Sequence, residues 1–94
     1  MTRADFYIGR GEKAEWLGSI NHDGYPDGID RSLLESTNEA DYRERVESFL
    51  KADGDATFPK DGWPWPWKDS TTTDFAYAFD GGKVFGSRFG CEWL

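Results

Sequence analysis

Glu39-Ala40-Asp41-Tyr42-Arg43-Glu44-Arg45-Val46-Glu47-Ser48-Phe49-Leu50-Lys51 is the stretch that decides the fold, because Tyr42, Val46, Phe49 and Leu50 recur at helical spacing between charged residues. The pattern predicts an amphipathic helix with one buried stripe and a wet opposite face. Ser36 and Glu39 stand in the relation of a capping box just before it, and Asn38 is an alternative cap. Asp53-Gly54 marks the stop, with Gly54 expected in the left-handed conformation that ends helices. A helix this short needs a partner surface, and the flanking segments supply strands.

Upstream, Ala4 to Ile8 alternates, with Phe6 and Ile8 on one side and Asp5 and Tyr7 on the other, which predicts a half-buried strand. Gly9-Arg10-Gly11 turns the chain into a second strand, Ala14 to Ile20, with Trp16 and Ile20 inward and Gly18 leaving room for a ring or marking a bulge. Asn21 to Gly28 is a concentrated turn region with Tyr25 as its expected anchor. Asp27 to Glu35 reads as a short helix in which Asp27 and Asp30 form the capping pair and Ile29, Leu33 and Leu34 face inward. Downstream, Phe75, Tyr77 and Phe79 alternate with Ala76 and Ala78, Asp80-Gly81-Gly82 turns, and Val84 to Phe89 returns. The alanine side is expected to receive the helix, leaving the aromatic side as a second packed layer or a binding face. These elements predict an α+β protein, two-layered, with an antiparallel sheet of about four strands and one principal helix, residues 1–94 forming a single domain.

The 94 residues permit one core, with about 60 to 65% of the unfolded surface removed from water. Five Trp, four Tyr and seven Phe compensate for few aliphatic side chains. The formal charge is −7, and it is unevenly placed. Between residues 23 and 55 stand Asp23, Asp27, Asp30, Glu35, Glu39, Asp41, Glu44, Glu47, Asp53 and Asp55, against only Arg31, Arg43, Arg45 and Lys51. Such a surface repels phosphates, so direct nucleic-acid binding is not expected, whereas a basic protein partner would be attracted. Acidity of this kind also simply keeps small proteins soluble.

No cofactor, metal or catalytic centre is expected. Cys91 is the only cysteine, so neither an intrachain disulfide nor a cysteine-based metal site is available. His22 is the only imidazole, and a neighbouring Asp23 does not make a triad. Asp53-Gly54-Asp55 opens like a calcium loop, but Thr57, Pro59 and Pro64 occupy positions where that loop carries other residues. There is no signal-peptide core and no run long enough for a membrane span, which points to a cytoplasmic protein of the host cell with no membrane partner.

Two features suit protein recognition. Asp41, Glu44 and Glu47 on the helix, with Glu35 and Asp55 nearby, can imitate the spaced phosphates of a duplex, although pairs such as Asp41 with Arg45 and Glu47 with Lys51 neutralise part of that face. An ordinary solvated helix face accounts for the same residues. The run Trp63-Pro64-Trp65-Pro66-Trp67 excludes a helix interior or a central strand, and its indoles recognise a proline-rich peptide or a carbohydrate by stacking, form an interface hot spot, or cover the core.

The segments Ala4-Asp5-Phe6-Tyr7-Ile8-Gly9-Arg10-Gly11, Ala14-Glu15-Trp16-Leu17-Gly18-Ser19-Ile20 and Asp23-Gly24-Tyr25-Pro26-Asp27-Gly28 resemble small proteins of unassigned domain family carried by phages and mobile elements. The length and acidity are similar to those of the anti-CRISPR proteins of such elements. The resemblance implies inhibition by stoichiometric binding: an acidic face covering the basic surface with which a CRISPR effector complex, or another basic host protein, meets DNA. The partner-binding residues expected on that reading are Asp23, Asp27, Asp30, Glu35, Asp41, Glu44, Glu47 and Asp55, assisted by Trp63, Trp65 or Trp67, in a monomer or homodimer. A phage structural or accessory module that binds through the Trp/Pro run is the alternative.

Overall fold

A computed structural model describes residues 2–10, 14–54, 56–62 and 74–88. The elements are β1 (Ala4–Ile8), β2 (Glu15–Ile20), α1 (Arg31–Leu34), α2 (Glu39–Ala52), β3 (Phe75–Asp80) and β4 (Lys83–Arg88), with 3₁₀ turns at Pro26–Gly28 and Pro59–Asp61. The strands form one sheet in the order β2-β1-β3-β4. Both expected hairpins are present and antiparallel, β1 with β2 and β3 with β4. They join through β1 and β3, which run parallel, so the sheet is mixed. A parallel pair needs a crossover, and the connection that carries α1 and α2 provides it.

The helical stripe behaves as its spacing predicts: Tyr42, Val46 and Leu50 are buried and Phe49 packs against the same core. Burying each such side chain contributes about 1.5 to 3 kcal/mol. Its partner is the aromatic side of the sheet, not the alanine side expected from sequence. Phe49 meets Phe6 edge-on at 5.9 Å and Tyr42 lies 5.5 Å from Phe79, while Phe6 stacks on Tyr77 at 5.6 Å. The Tyr42 hydroxyl donates to the Tyr77 carbonyl at 3.3 Å. Large rings offer more apolar area to a helix than two methyl groups do, and this outweighs the closer approach that alanine permits. Ala76 and Ala78 are buried on the opposite face, in register with Asp5 and Tyr7 of β1.

Helix ends follow local chemistry. Asn38 caps α2, accepting from the Asp41 amide at 2.9 Å and donating to the Asp41 carboxylate at 3.0 Å, so the Ser36–Glu39 box does not form. Ser36 instead donates to the Leu33 carbonyl at 2.7 Å, closing α1. The stop falls at Asp53 as expected, but Gly54 is not among the residues with positive φ. The segment from Asp27 to Glu35 divides into a 3₁₀ turn and a one-turn α1 capped by Asp30 alone, which accepts from the Ser32 amide at 3.0 Å. Asp27 falls inside the turn that Pro26 starts, so the Asp27–Asp30 pair is not a capping box. The Gly81-Gly82 turn has positive φ at both positions, the geometry that matches the twist of a tight hairpin.

The β1–β2 ladder shifts register between Phe6 and Tyr7: Phe6 faces Gly18 and Tyr7 faces Trp16, so Leu17 is the extra residue of a bulge. Parity reverses there. Trp16 therefore lies on the face of Asp5 and Ser19, away from Ile20, correcting the expectation that Trp16 and Ile20 share the inward side. Leu17 turns towards the core instead. Gly18 sits at φ +146, where an added Cβ would fall 2.5 Å from Leu50 Cδ1 and 2.9 Å from the Thr57 carbonyl oxygen. Gly18→Ala should cost about 2 to 4 kcal/mol, from backbone strain and overpacking together. Gly54→Ala, where a Cβ meets nothing within 4 Å, should change stability by no more than about 0.5 kcal/mol. Urea unfolding of both variants checks the pair, and equal effects would remove the bulge from this account.

Candidate functional site

The acidic residues divide by how their charge is compensated. On α2, Asp41 pairs with Arg45 at 3.8 Å and Glu47 with Lys51 at 2.7 Å, the two i,i+4 pairs read from the sequence. Glu35 pairs with Arg31 at 3.4 Å across α1. Arg43 is held from two sides, donating to both carboxylate oxygens of Glu15 at 2.7 and 2.8 Å and to Glu39 at 2.9 Å. That fork pulls the Glu15 carboxyl below its ordinary range, chiefly by hydrogen bonding, and raises the Arg43 guanidinium.

Asp23, Asp27, Asp30 and Glu44 are different: all four are exposed, and none makes an ion pair among the described residues. Three of them lie on the loop and cap between β2 and α1, and Glu44 lies on the solvent side of α2. Arg45 donates to the Ser32 carbonyl at 3.0 Å and to Ser36 Oγ at 3.2 Å, binding α1 to that flank of α2. Asp55, Trp63, Trp65 and Trp67 lie outside the described residues.

The loop is anchored differently from the sequence expectation. Tyr25 is 42% exposed, so it is not a buried anchor. The Gly24 amide donates to the Thr2 carbonyl at 2.9 Å, and the Gly24 carbonyl accepts from the Tyr77 hydroxyl at 2.7 Å. Tyr77 reaches it from the core, and burial pushes its hydroxyl up, which keeps it a donor. Asp23 adopts φ +59, a conformation aspartate tolerates better than most residues. The Tyr25 hydroxyl donates to Asp23 at 3.3 Å, and the Asp23 charge raises that phenol above its ordinary value. The loop thus holds an exposed ring beside uncompensated carboxylates.

A second polar constellation is buried. Asp5, fully enclosed, accepts from Arg3 Nη2 and from Ser19 Oγ, each at 2.5 Å, while Trp16 Nε1 donates to Ser19 Oγ at 3.0 Å. Arg3 Nη2 also lies 3.3 Å from Ser19 Oγ. With two donors aimed at its oxygen and its own proton on Asp5, the Ser19 hydroxyl is fully engaged. It is held as a structural link, and the arrangement supplies no activated nucleophile. Burial lowers the Arg3 pKa, and the Asp5 charge opposes that. The alternation places Asp5 on the side opposite Phe6 and Ile8; the signal that identifies the pair is the opposite charge of Arg3, just before β1, two residues from Asp5. No group of three potential metal ligands occurs among the described residues, and no helix among them is long and apolar enough to cross a membrane.

Asp5→Leu should destabilise the fold by about 3 to 5 kcal/mol, since it leaves a buried guanidinium facing a side chain that cannot accept. Adding Arg3→Met should recover much of that loss, and a double variant no more stable than the single would show that the charge pair is not the cause. The Glu15–Arg43 fork is half-exposed, so a double-mutant cycle with Glu15→Gln and Arg43→Met should give only about 0.5 to 1 kcal/mol at neutral pH. Because the folded Glu15 pKa lies below its unfolded value, that coupling is present above the unfolded value and should fade as pH falls through the folded one. A coupling unchanged at acid pH would remove the ion pair from the explanation.

No protein-family model, no curated protein and no solved structure matches the chain, so no residue above takes its role from a relative.

Proposed function

We propose that the chain is a non-enzymatic inhibitor that binds a basic surface of a partner protein through the acidic loop and the adjoining helical flank. In the form that the sequence resemblance implies, the partner is a CRISPR effector and the surface is the one that reads target DNA. The observation that carries this reading is the concentration of uncompensated carboxylates at Asp23, Asp27, Asp30 and Glu44 while the other acids of the helical layer are paired. None of these four carboxylates makes an ion pair among the described residues, so a cationic partner can engage them without opening an existing pair. Charges on a loop held by backbone hydrogen bonds also lose little freedom on binding.

A surface that binds DNA must carry cations for its phosphates, so it offers the complement of this loop. The net charge of −7 adds long-range attraction that speeds encounter. Glu35, Asp41 and Glu47 contribute less on this reading, because binding through them requires an existing ion pair to open.

The test is recovery of a CRISPR effector by the tagged protein from a phage-infected host, followed by affinity measurement on the purified pair. Affinity should fall steeply between about 50 and 300 mM salt as the charges are screened. Asp23→Lys with Asp27→Lys should weaken binding by about tenfold or more, and Glu47→Lys by less. Recovery of phage structural proteins alone, or an affinity indifferent to salt and to the double reversal, would overturn the proposal.

A further inference from the structure

Between β2, the Arg43–Lys51 flank of α2 and the segment around Phe58 lies an open groove of about 560 Å³. It follows from the bulge: Leu17, the extra residue of β2, turns to this side and forms the floor with Val46 and Leu50 of α2. Phe58 makes the opposite wall. It is held there because Thr57 and Ser19 exchange backbone hydrogen bonds of 2.8 and 2.9 Å, which tie the segment after α2 to the edge of β2. The 3₁₀ turn that follows carries Lys60 to the lip, its ammonium 5.9 Å from the centre of the Phe58 ring.

The charges around the mouth fix what fits it. Arg43 is occupied by Glu15 and Glu39, and Lys51 by Glu47. Lys60 makes no ion pair among the described residues, so a groove of mixed lining, with Leu17 and Phe58 beside charged side chains, is bordered by one uncommitted cation on a chain of net charge −7. Arg43 and Lys51 also line the groove but are held in closed pairs, so only one ligand charge finds a free partner there. A cation would meet Lys60. The volume lies within the range of small-molecule sites, about 300 to 1,000 Å³.

We propose that this groove binds an apolar organic monoanion, an aryl or alkyl carboxylate or sulfonate, with its body against the half-buried Leu17 and Phe58, above the buried Val46 and Leu50, and its charge at Lys60. The site lies on the β2 side of α2, whereas α1 occupies the other flank, and the proposal does not rest on the acidic-loop reading.

The test uses two probes with the same aromatic body, 1-anilinonaphthalene-8-sulfonate and the uncharged N-phenyl-1-naphthylamine, titrated into the full chain with fluorescence detection. The sulfonate should bind saturably at one site, with chemical-shift changes at the methyl groups of Leu17, Val46 and Leu50. Lys60→Gln should weaken the sulfonate by about tenfold and leave the uncharged probe unchanged, as expected for loss of a charge-assisted contact. Lys83→Gln, at an exposed position on β4, should change neither. Absence of saturable binding, shift changes confined to other methyl groups, or equal effects of Lys60→Gln on both probes would overturn the assignment. Both lysine variants are surface changes, and their urea midpoints verify that folding is intact.

Discussion

Everything in this fold depends on β1 being covered on both faces. It pairs with β2 on one edge and β3 on the other, so its backbone groups are committed to the sheet. One face contributes Phe6 to the aromatic seam beneath α2. The other contributes Asp5, a fully buried carboxylate that must be compensated where it stands. Arg3 supplies the charge and Ser19, directly opposite in the ladder, supplies a further hydrogen bond. The central strand therefore specifies its neighbour: only a β2 register that places Ser19 beside Asp5 satisfies the carboxylate. Beyond that pair the ladder shifts register between Phe6 and Tyr7, and Leu17 is the extra residue. The groove is a consequence of the same bulge.

The helix and the two hairpins were legible because they rest on local signals. Spacing at 3.6 residues marks Tyr42, Val46 and Leu50, and two glycines mark the β3–β4 turn. The joining of the hairpins was not legible, since a parallel β1–β3 pair depends on contacts between segments about seventy residues apart in sequence, which no local pattern encodes. The face chosen by α2 was misread for a related reason. Alanines at Ala76 and Ala78 permit close approach, but permission is not a driving force, and the rings on the other side supply more apolar area. The bulge was foreseen as one option at Gly18, yet its effect on parity was not, because one inserted residue exchanges the faces of every residue beyond it. Trp16 and Leu17 changed places accordingly.

The candidate site was legible in composition and not in detail. Excess charge in the middle of the chain is plain from sequence, and so are the i,i+4 pairs at Asp41–Arg45 and Glu47–Lys51. The Glu15–Arg43 fork is not, because it spans two elements. Its effect is large for the reading of the helix: the face that sequence suggested as a phosphate imitation is mostly a set of closed ion pairs. What stays uncompensated lies mainly on the loop: Asp23 is followed four residues on by Asp27, and Arg31, four residues after Asp27, is paired with Glu35 instead.

Charge and shape are thus divided between the two flanks of one helix. On the α1 side, Arg45 donates to the Ser32 carbonyl and Ser36 and pairs with Asp41, which fixes the short helix in place, while Asp30 makes no ion pair among the described residues. On the β2 side, Arg43 and Lys51 are committed to carboxylates and Lys60 is not. The cationic partner surface proposed above would meet the first flank, where no group of three potential metal ligands gathers among the described residues. The second flank is a groove in which Leu17 and Phe58 stand beside charged side chains, the setting for the compact monoanion proposed above. The two proposed surfaces would thus be separated by one amphipathic helix, whose core-facing stripe holds both flanks to the sheet.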